Sequence, residues 1–199
     1  MHLVQERRAF AAVKVPGSIE RRRTPLIVGI AAALVVVLLD QVSKTWVLRS
    51  IAVDGERHLI GRLRLIRRYN TGVAFSVGNG SRVTAWITTT LMVVLVGWVV
   101  HTLRATNANA NASRETRNAP SIVRALALGC IAGGAFGNQI DRFFRGARWN
   151  RGAVIDFVDV GFWPVFNVAD AALSCGCVAV ALLSLRKPKP DRSTTASVR

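Results

Sequence analysis

The chain has 199 residues, 51% of them hydrophobic, and a formal net charge of +16. That much apolar surface excludes disorder for most of the chain. Its arrangement, long apolar runs with basic segments between them, excludes an ordinary soluble domain and is the pattern of a membrane protein with basic loops. The Lys and Arg residues are spread over several segments and form no nucleic-acid motif, so the basic balance points to anionic lipid headgroups and no nucleic-acid partner is expected.

Residues 1–25 form a basic tail that closes on Arg21-Arg22-Arg23. The tail is long for the charged start of a cleaved signal peptide, and no small-x-small cleavage site follows the first apolar run. That run spans Leu26 to Leu48 and is interrupted by Asp40 and Lys44. A helix of that length reaches about 34 Å at 1.5 Å per residue, enough to cross a bilayer core. Further apolar runs extend from Val83 to Leu103, from Ser121 to Ile140 and from Val165 to Leu185. The last two are rich in small residues, which lets helices approach closely.

Three connections separate the runs. The segment 49–82 contains strand-like stretches such as Arg62-Leu63-Arg64-Leu65-Ile66, residues 104–120 read as a low-complexity linker around Asn107-Ala108-Asn109-Ala110-Asn111, and 141–164 mixes charged and aromatic residues. The expected fold is an all-α membrane protein with four transmembrane helices over 26–185 and a small extracytoplasmic β-like segment between helices 1 and 2. Residues 186–199 form a second basic tail, expected to be disordered. Both tails and the 104–124 region carry fifteen Lys and Arg residues against eleven in the other two connections. The positive-inside bias therefore favours cytoplasmic tails, although Arg57 to Arg68 oppose it.

Cys130, Cys175 and Cys177 all lie in apolar runs, and their odd number argues against a disulfide framework. Acidic residues carry more information. Asp40, Asp141, Asp156, Asp159 and Asp170 lie in or beside apolar runs, where ionisable groups are costly and mark a pathway, a site or a structural pair. Asp40 and Lys44 share a helix face at i, i+4, as an ion pair or as part of a site. Asp141 lies three residues after Asn138, on one face, in a polar knot at a helix end or in direct chemistry. Asp156 stands in the apolar Val154-Ile155-Asp156-Phe157 with no cation nearby in sequence. Asp170 opens the last apolar run. Two such carboxylates brought together share a proton and can act on a water as base and acid, but a spacing of 14 residues does not bring them together by itself.

Other catalysts fit less well. His2, His58 and His101 belong to no HExxH motif, and neither GxSxG nor a P-loop occurs. Ser43 and Lys44 are adjacent on a helix and point about 100° apart, which does not suit a Ser–Lys hydrolase.

Five segments together resemble the lipoprotein signal peptidase (signal peptidase II) family. Asp40-Gln41-Val42-Ser43-Lys44 resembles its D-x-x-S/T-K motif, and Asn70-Thr71-Gly72-Val73-Ala74-Phe75 its N-x-G-x-A-F segment. Gly133 to Arg142 resembles its G-N-x-x-D-R motif, and Val154 to Phe157 and Phe166 to Asp170 its two aspartate motifs. The segments occur in the family's order between residues 26 and 185.

The resemblance implies an aspartic endopeptidase of the bacterial inner membrane, with both termini cytoplasmic and the active site near the outer leaflet. Its substrates would be diacylglyceryl-modified prolipoproteins, cut just before the lipidated cysteine. Asp156 and Asp170 would form the catalytic dyad. Asp40, Lys44, Asn70, Gly72, Asn138, Asp141, Arg142 and Asn167 would bind substrate or shape the site. No metal or organic cofactor is implied; membrane lipids are expected partners, and a monomer is expected. Val73 stands where the family commonly has Ala, Ala171 where it has Ser or Thr, and the stretch from Asp141 to Asp156 is long. A non-catalytic scaffold and a small proton-coupled transporter are the competing classes. The G-x-G-D signature of another intramembrane aspartic protease class is absent.

Overall fold

The computed structural model describes residues 24–53, 55–71, 82–112, 118–146, 149–150 and 152–185. Four helices and three short strands follow in the order α1 (Thr24–Ser50), β1 (Glu56–Ile60), β2 (Leu63–Asn70), α2 (Arg82–Ala112), α3 (Asn118–Phe144), β3 (Val154–Asp159) and α4 (Val168–Leu185). Most of both basic tails, and Gly72 with the rest of its motif beyond Thr71, lie outside the described residues.

The helices run past the expected apolar runs. Helix α1 starts at Thr24, with Pro25 in the first turn, where its missing N–H has no intrahelical partner to lose. Helix α2 continues to Ala112 through the stretch expected to be a linker; its alternating alanines are strong helix formers and carry the backbone on. Helix α4 begins at Val168 rather than Val165, because Phe166 is engaged in a β-bridge to Val158.

Among the described residues, three helical segments, against the four spans expected, are long and apolar enough to cross a membrane: Thr24–Ser50, Ala85–Ala108 and Val168–Leu185. Their large apolar side chains face outward, among them Leu34, Leu38, Leu91 and Leu182. The acidic residues Asp40 and Asp141 are fully buried. This inverts the pattern of a soluble protein and suits a hydrocarbon solvent. Helix α3 is the central helix, packed against α1, α2 and α4. Where it meets its three neighbours it carries small residues, while Val123, Leu126 and Phe136 on its free side are exposed. A Cβ on Gly134 would come within 2.3 Å of the Ala169 carbonyl oxygen of α4, and one on Gly137 within 2.7 Å of Asp40 Oδ2 of α1. Those two glycines set how closely three helices meet around the polar interior.

The expected β-like segment between helices 1 and 2 is only part of the sheet. Strands β1, β2 and β3 form one antiparallel sheet in that order, and the third strand comes from beyond α3. Its pairing with β2 spans more than eighty residues, which short-range pattern does not reveal. The β1–β2 hairpin turns at Gly61, whose φ of +57° favours glycine. The sheet sits on the end of α1: Val47 and Ile51 pack with Phe157, Leu65, Val158 and Val168. Arg67 of β2 donates to the carbonyls of Leu48 and Ile51, two acceptors at the helix end.

Candidate active site

The path from β3 into α4 brings Asp156 and Asp170 into one site. After Asp159 the chain reverses at Gly161, whose φ is +81°. Asp159 steadies this turn by accepting the Gly161 N–H at 2.7 Å and the Arg64 guanidinium at 2.5 Å. The Gly161 N–H, and then Arg64, hold the Asp159 carboxyl below the usual carboxylate range. The returning strand pairs Phe166 with Val158, with N–H to carbonyl distances of 2.8 and 3.1 Å. Asn167, the next residue, therefore arrives beside Asp156.

Asn167 is the N-cap of α4. Its Oδ1 accepts the backbone N–H of Asp170 at 2.9 Å, and Asp170 Oδ2 accepts the backbone N–H of Asn167 at 3.2 Å. This reciprocal pair is a capping box built from Asn and Asp, and it fixes the Asp170 side chain at the helix N-terminus. Asn167 Nδ2 also donates to Asp156 Oδ1 at 2.7 Å. One buried side chain thus touches both aspartates. Asn70 of β2 donates to the other Asp156 oxygen at 3.1 Å. Asn138 of α3 donates to Asp170 Oδ1 at 2.8 Å, while its own oxygen accepts from Asn167 at 3.0 Å and from Lys44 at 3.0 Å.

Behind Asn138 lies a fully buried charge cluster. Lys44 Nζ is 2.8 Å from Asp40 Oδ2 and 2.8 Å from Asp141 Oδ2. With Asn138 as third acceptor, the three ammonium protons have three partners. Asp141 also accepts from Arg145 Nε at 2.6 Å and from Gln41 Nε2 at 3.2 Å. Gln41 and Arg145 were not distinguished in the motifs: Gln41 sits at an unspecified position of D-x-x-S/T-K, and Arg145 lies past G-N-x-x-D-R.

Asp156 and Asp170 face a cavity of about 410 Å³ that Asn70, Asn138 and Arg142 also line. Its remaining wall is largely apolar, with Trp163, Phe166 and Leu173. Burial, then the negative charge of Asp170, pushes the Asp156 carboxyl up to about 7. Two carboxyls on one cavity, one of them raised, are a set that can offer a base and an acid to a water. Among the described residues, no three His, Cys, Asp or Glu side chains are grouped to hold a metal ion.

The structure thus gathers Asp40, Lys44, Asn70, Asn138, Asp141, Arg142, Asp156, Asn167 and Asp170 from α1, β2, α3, β3 and α4, while Gly72 lies outside the described residues. A second polar cluster lay beyond sequence reading. Asn150, buried at a φ of 56°, accepts from Gln139 at 3.0 Å and donates to Thr89 at 2.9 Å. Beside it Trp149 stacks on Phe143 with ring centroids 4.8 Å apart. Together they dock residues 149–150 onto α2 and α3.

Comparison with known proteins agrees with this architecture. The family model described as signal peptidase (SPase) II matches residues 32–186. A lipoprotein signal peptidase of Syntrophomonas wolfei is 39% identical over 162 residues, covering 79% of this chain and 93% of that protein. One of Rhodococcus jostii is 37% identical over 179 residues, 88% of this chain and 80% of its own. One of Mycobacterium leprae is 35% identical over 167 residues, 82% and 73%. A bacterial membrane enzyme solved by the in meso method shares the fold, with a TM-score of 0.62 at 22% identity over 82% of this chain and 94% of that one.

Proposed function

The chain belongs to the signal peptidase II family of proteases, and on that premise we propose that Asp156 and Asp170 are the catalytic dyad of an aspartic endopeptidase that removes signal peptides from diacylglyceryl-modified prolipoproteins. The observation that carries this reading is that both carboxyls accept from Asn167, one from its side chain and one from its backbone, at the wall of one cavity. The ionised member of the pair takes a proton from a water as its oxygen attacks the scissile carbonyl carbon. The protonated member hydrogen-bonds the carbonyl oxygen and transfers its proton as the tetrahedral intermediate forms. Collapse of that intermediate breaks the C–N bond, and a carboxyl returns a proton to the leaving amine. The amine belongs to the lipidated cysteine, so the cut falls just before it.

The remaining residues serve the dyad. Asn70, Asn138 and Asn167 hold the carboxyl oxygens, so that no rotation is needed when charge moves. Arg142 lines the cavity and faces the substrate backbone or a lipid phosphate. Asp40, Lys44 and Asp141 shape the site from behind. All four helices of the 26–185 domain span the bacterial inner membrane, with the two basic tails in the cytoplasm. The sheet lies at the outer leaflet. Lipid and signal helix enter from the bilayer, and the basic 49–82 segment lies over the bound substrate. The enzyme acts as a monomer. The test is cleavage of a prolipoprotein with and without its diacylglycerol by protein in nanodiscs, with mass spectrometry of the products. The reading expects cleavage of the lipidated form alone, with cysteine as the new N-terminal residue; cleavage at another bond, or of neither form, contradicts it.

A further inference from the structure

The residues immediately before the two aspartates are held in the same way. Ile155, which precedes Asp156, donates its backbone N–H to Asp141 Oδ2 at 3.2 Å. Ala169, which precedes Asp170, donates its backbone N–H to Asp40 Oδ1 at 3.0 Å. Neither amide has a partner within its own element: one is at the start of a short strand, the other in the first turn of a helix. The two receiving carboxylates meet on the single ammonium of Lys44, 2.8 Å from each. Asp40, Lys44 and Asp141 are all wholly buried. Two carboxylates on one ammonium leave one negative charge over, which is costly in a buried site. The balancing cation is Arg145, 2.6 Å from Asp141 Oδ1 with 22% of its side chain exposed.

We propose that Asp40, Lys44 and Asp141 form a yoke across the backs of β3 and α4 that fixes the spacing of Asp156 and Asp170, and that Arg145 is a positioning residue that keeps the yoke electrically neutral. This rests on the dyad reading and extends it. Each carboxyl hangs from the residue next to a yoked amide, so a shift of either arm shifts a reacting group. The yoke lies behind the chemistry: Lys44 hydrogen-bonds Asn138, which donates to Asp170. The charged groups around the dyad are Asp40 and Lys44 on α1, Arg68 opposite Asp156 in the β2–β3 register, and Asp141, Arg142 and Arg145 on or just past α3. Among these, only the Arg145 and Asp141 substitutions below change the yoke's charge, and they do so in opposite directions.

The experiment measures kcat, KM and the pH profile of prolipoprotein cleavage in nanodiscs for wild type, Arg145→Gln, Arg145→Lys, Asp141→Asn and Asp156→Asn, each checked for folding by thermal unfolding. Arg145→Gln leaves excess negative charge behind the dyad, so the acid limb of kcat moves up by about half a pH unit. Asp141→Asn leaves excess positive charge, so the limb moves down. Both lower kcat about tenfold, with KM within about twofold of wild type. Arg145→Lys restores the wild-type limb. A merely structural role predicts lost protein or lost activity with no opposed shifts. Unchanged kcat and an unchanged limb in Arg145→Gln and Asp141→Asn, with Asp156→Asn inactive, overturn the yoke and leave the dyad standing. Normal turnover by Asp156→Asn overturns the dyad, and the yoke with it.

Discussion

Asn167 donates its side-chain amide to Asp156 over 2.7 Å, and the same side chain accepts the backbone N–H of Asp170 over 2.9 Å. The cap of α4 and a donor to the Asp156 carboxyl are therefore one side chain. The cap satisfies an amide that every helix start leaves open. The donor ties the orientation of Asp156 to the first turn of α4. Local folding and site assembly become the same event at this position.

Asn167→Ala removes both functions. Loss of the cap costs about 1 kcal/mol of stability. Turnover falls about a hundredfold, because the Asp156 carboxyl loses its Asn167 donor and the turn that carries Asp170 loses its cap. Asn167→Asp retains a cap acceptor but buries a third carboxyl beside Asp156, so it should rescue neither stability nor turnover. Cleavage kinetics and thermal unfolding on the same preparations check this; rescue of both would show that the donor to Asp156 is dispensable.

The raised Asp156 carboxyl makes a prediction about stability and pH. Its usual value is 3.8, and burial with Asp170 lifts it to about 7 in the folded protein. Between these values the folded state binds more protons than the unfolded state, so this group's contribution falls as pH rises from about 4 to 7 and is flat above. Asp156→Asn cannot ionise and escapes that loss. Its stability relative to wild type should grow across that window and then level off, as read by thermal unfolding in detergent at a series of pH values. Parallel curves for the two proteins would contradict the shift.

Gly134 faces the carbonyl of Ala169, and a Cβ there would lie 2.3 Å from that oxygen. Gly134→Ala must push α4 away from α3 at the turn that carries Asp170. A loss of about 1–3 kcal/mol is expected, together with lowered turnover. Gly97, inside α2, whose Cβ would meet nothing within 4 Å, serves as the control: Gly97→Ala should leave turnover unchanged and should not lower stability, alanine being the better helix former.

The helices were legible because apolar length is local information, and so was the Asp40–Lys44 pair, set by a four-residue spacing. Asn167 and Asp170 stand at the three-residue spacing of a capping box, which takes its meaning only once α4 begins at Val168. What joined Asp156 to Asp170 was not local: it depends on the reversal at Gly161 and on β3 pairing with β2 more than eighty residues earlier. Strand β3 itself read as an apolar stretch because both its faces are covered, so it lacks the alternation that marks a half-exposed strand. Asn107 to Ala112 read as a linker from repetitive composition, although alanine favours the helix that forms. Arg145 carried no signal, since its importance lies in a charge balance that appears only when Lys44, Asp40 and Asp141 meet.

The most direct test of the account is cleavage of a diacylglyceryl-modified prolipoprotein by wild type, Asp156→Asn and Asp170→Asn, each shown to be folded in nanodiscs. The dyad predicts turnover by wild type and a loss of at least about four orders of magnitude in each variant, since neither carboxyl acts alone. Turnover within about tenfold of wild type by either variant would show that the chemistry lies elsewhere.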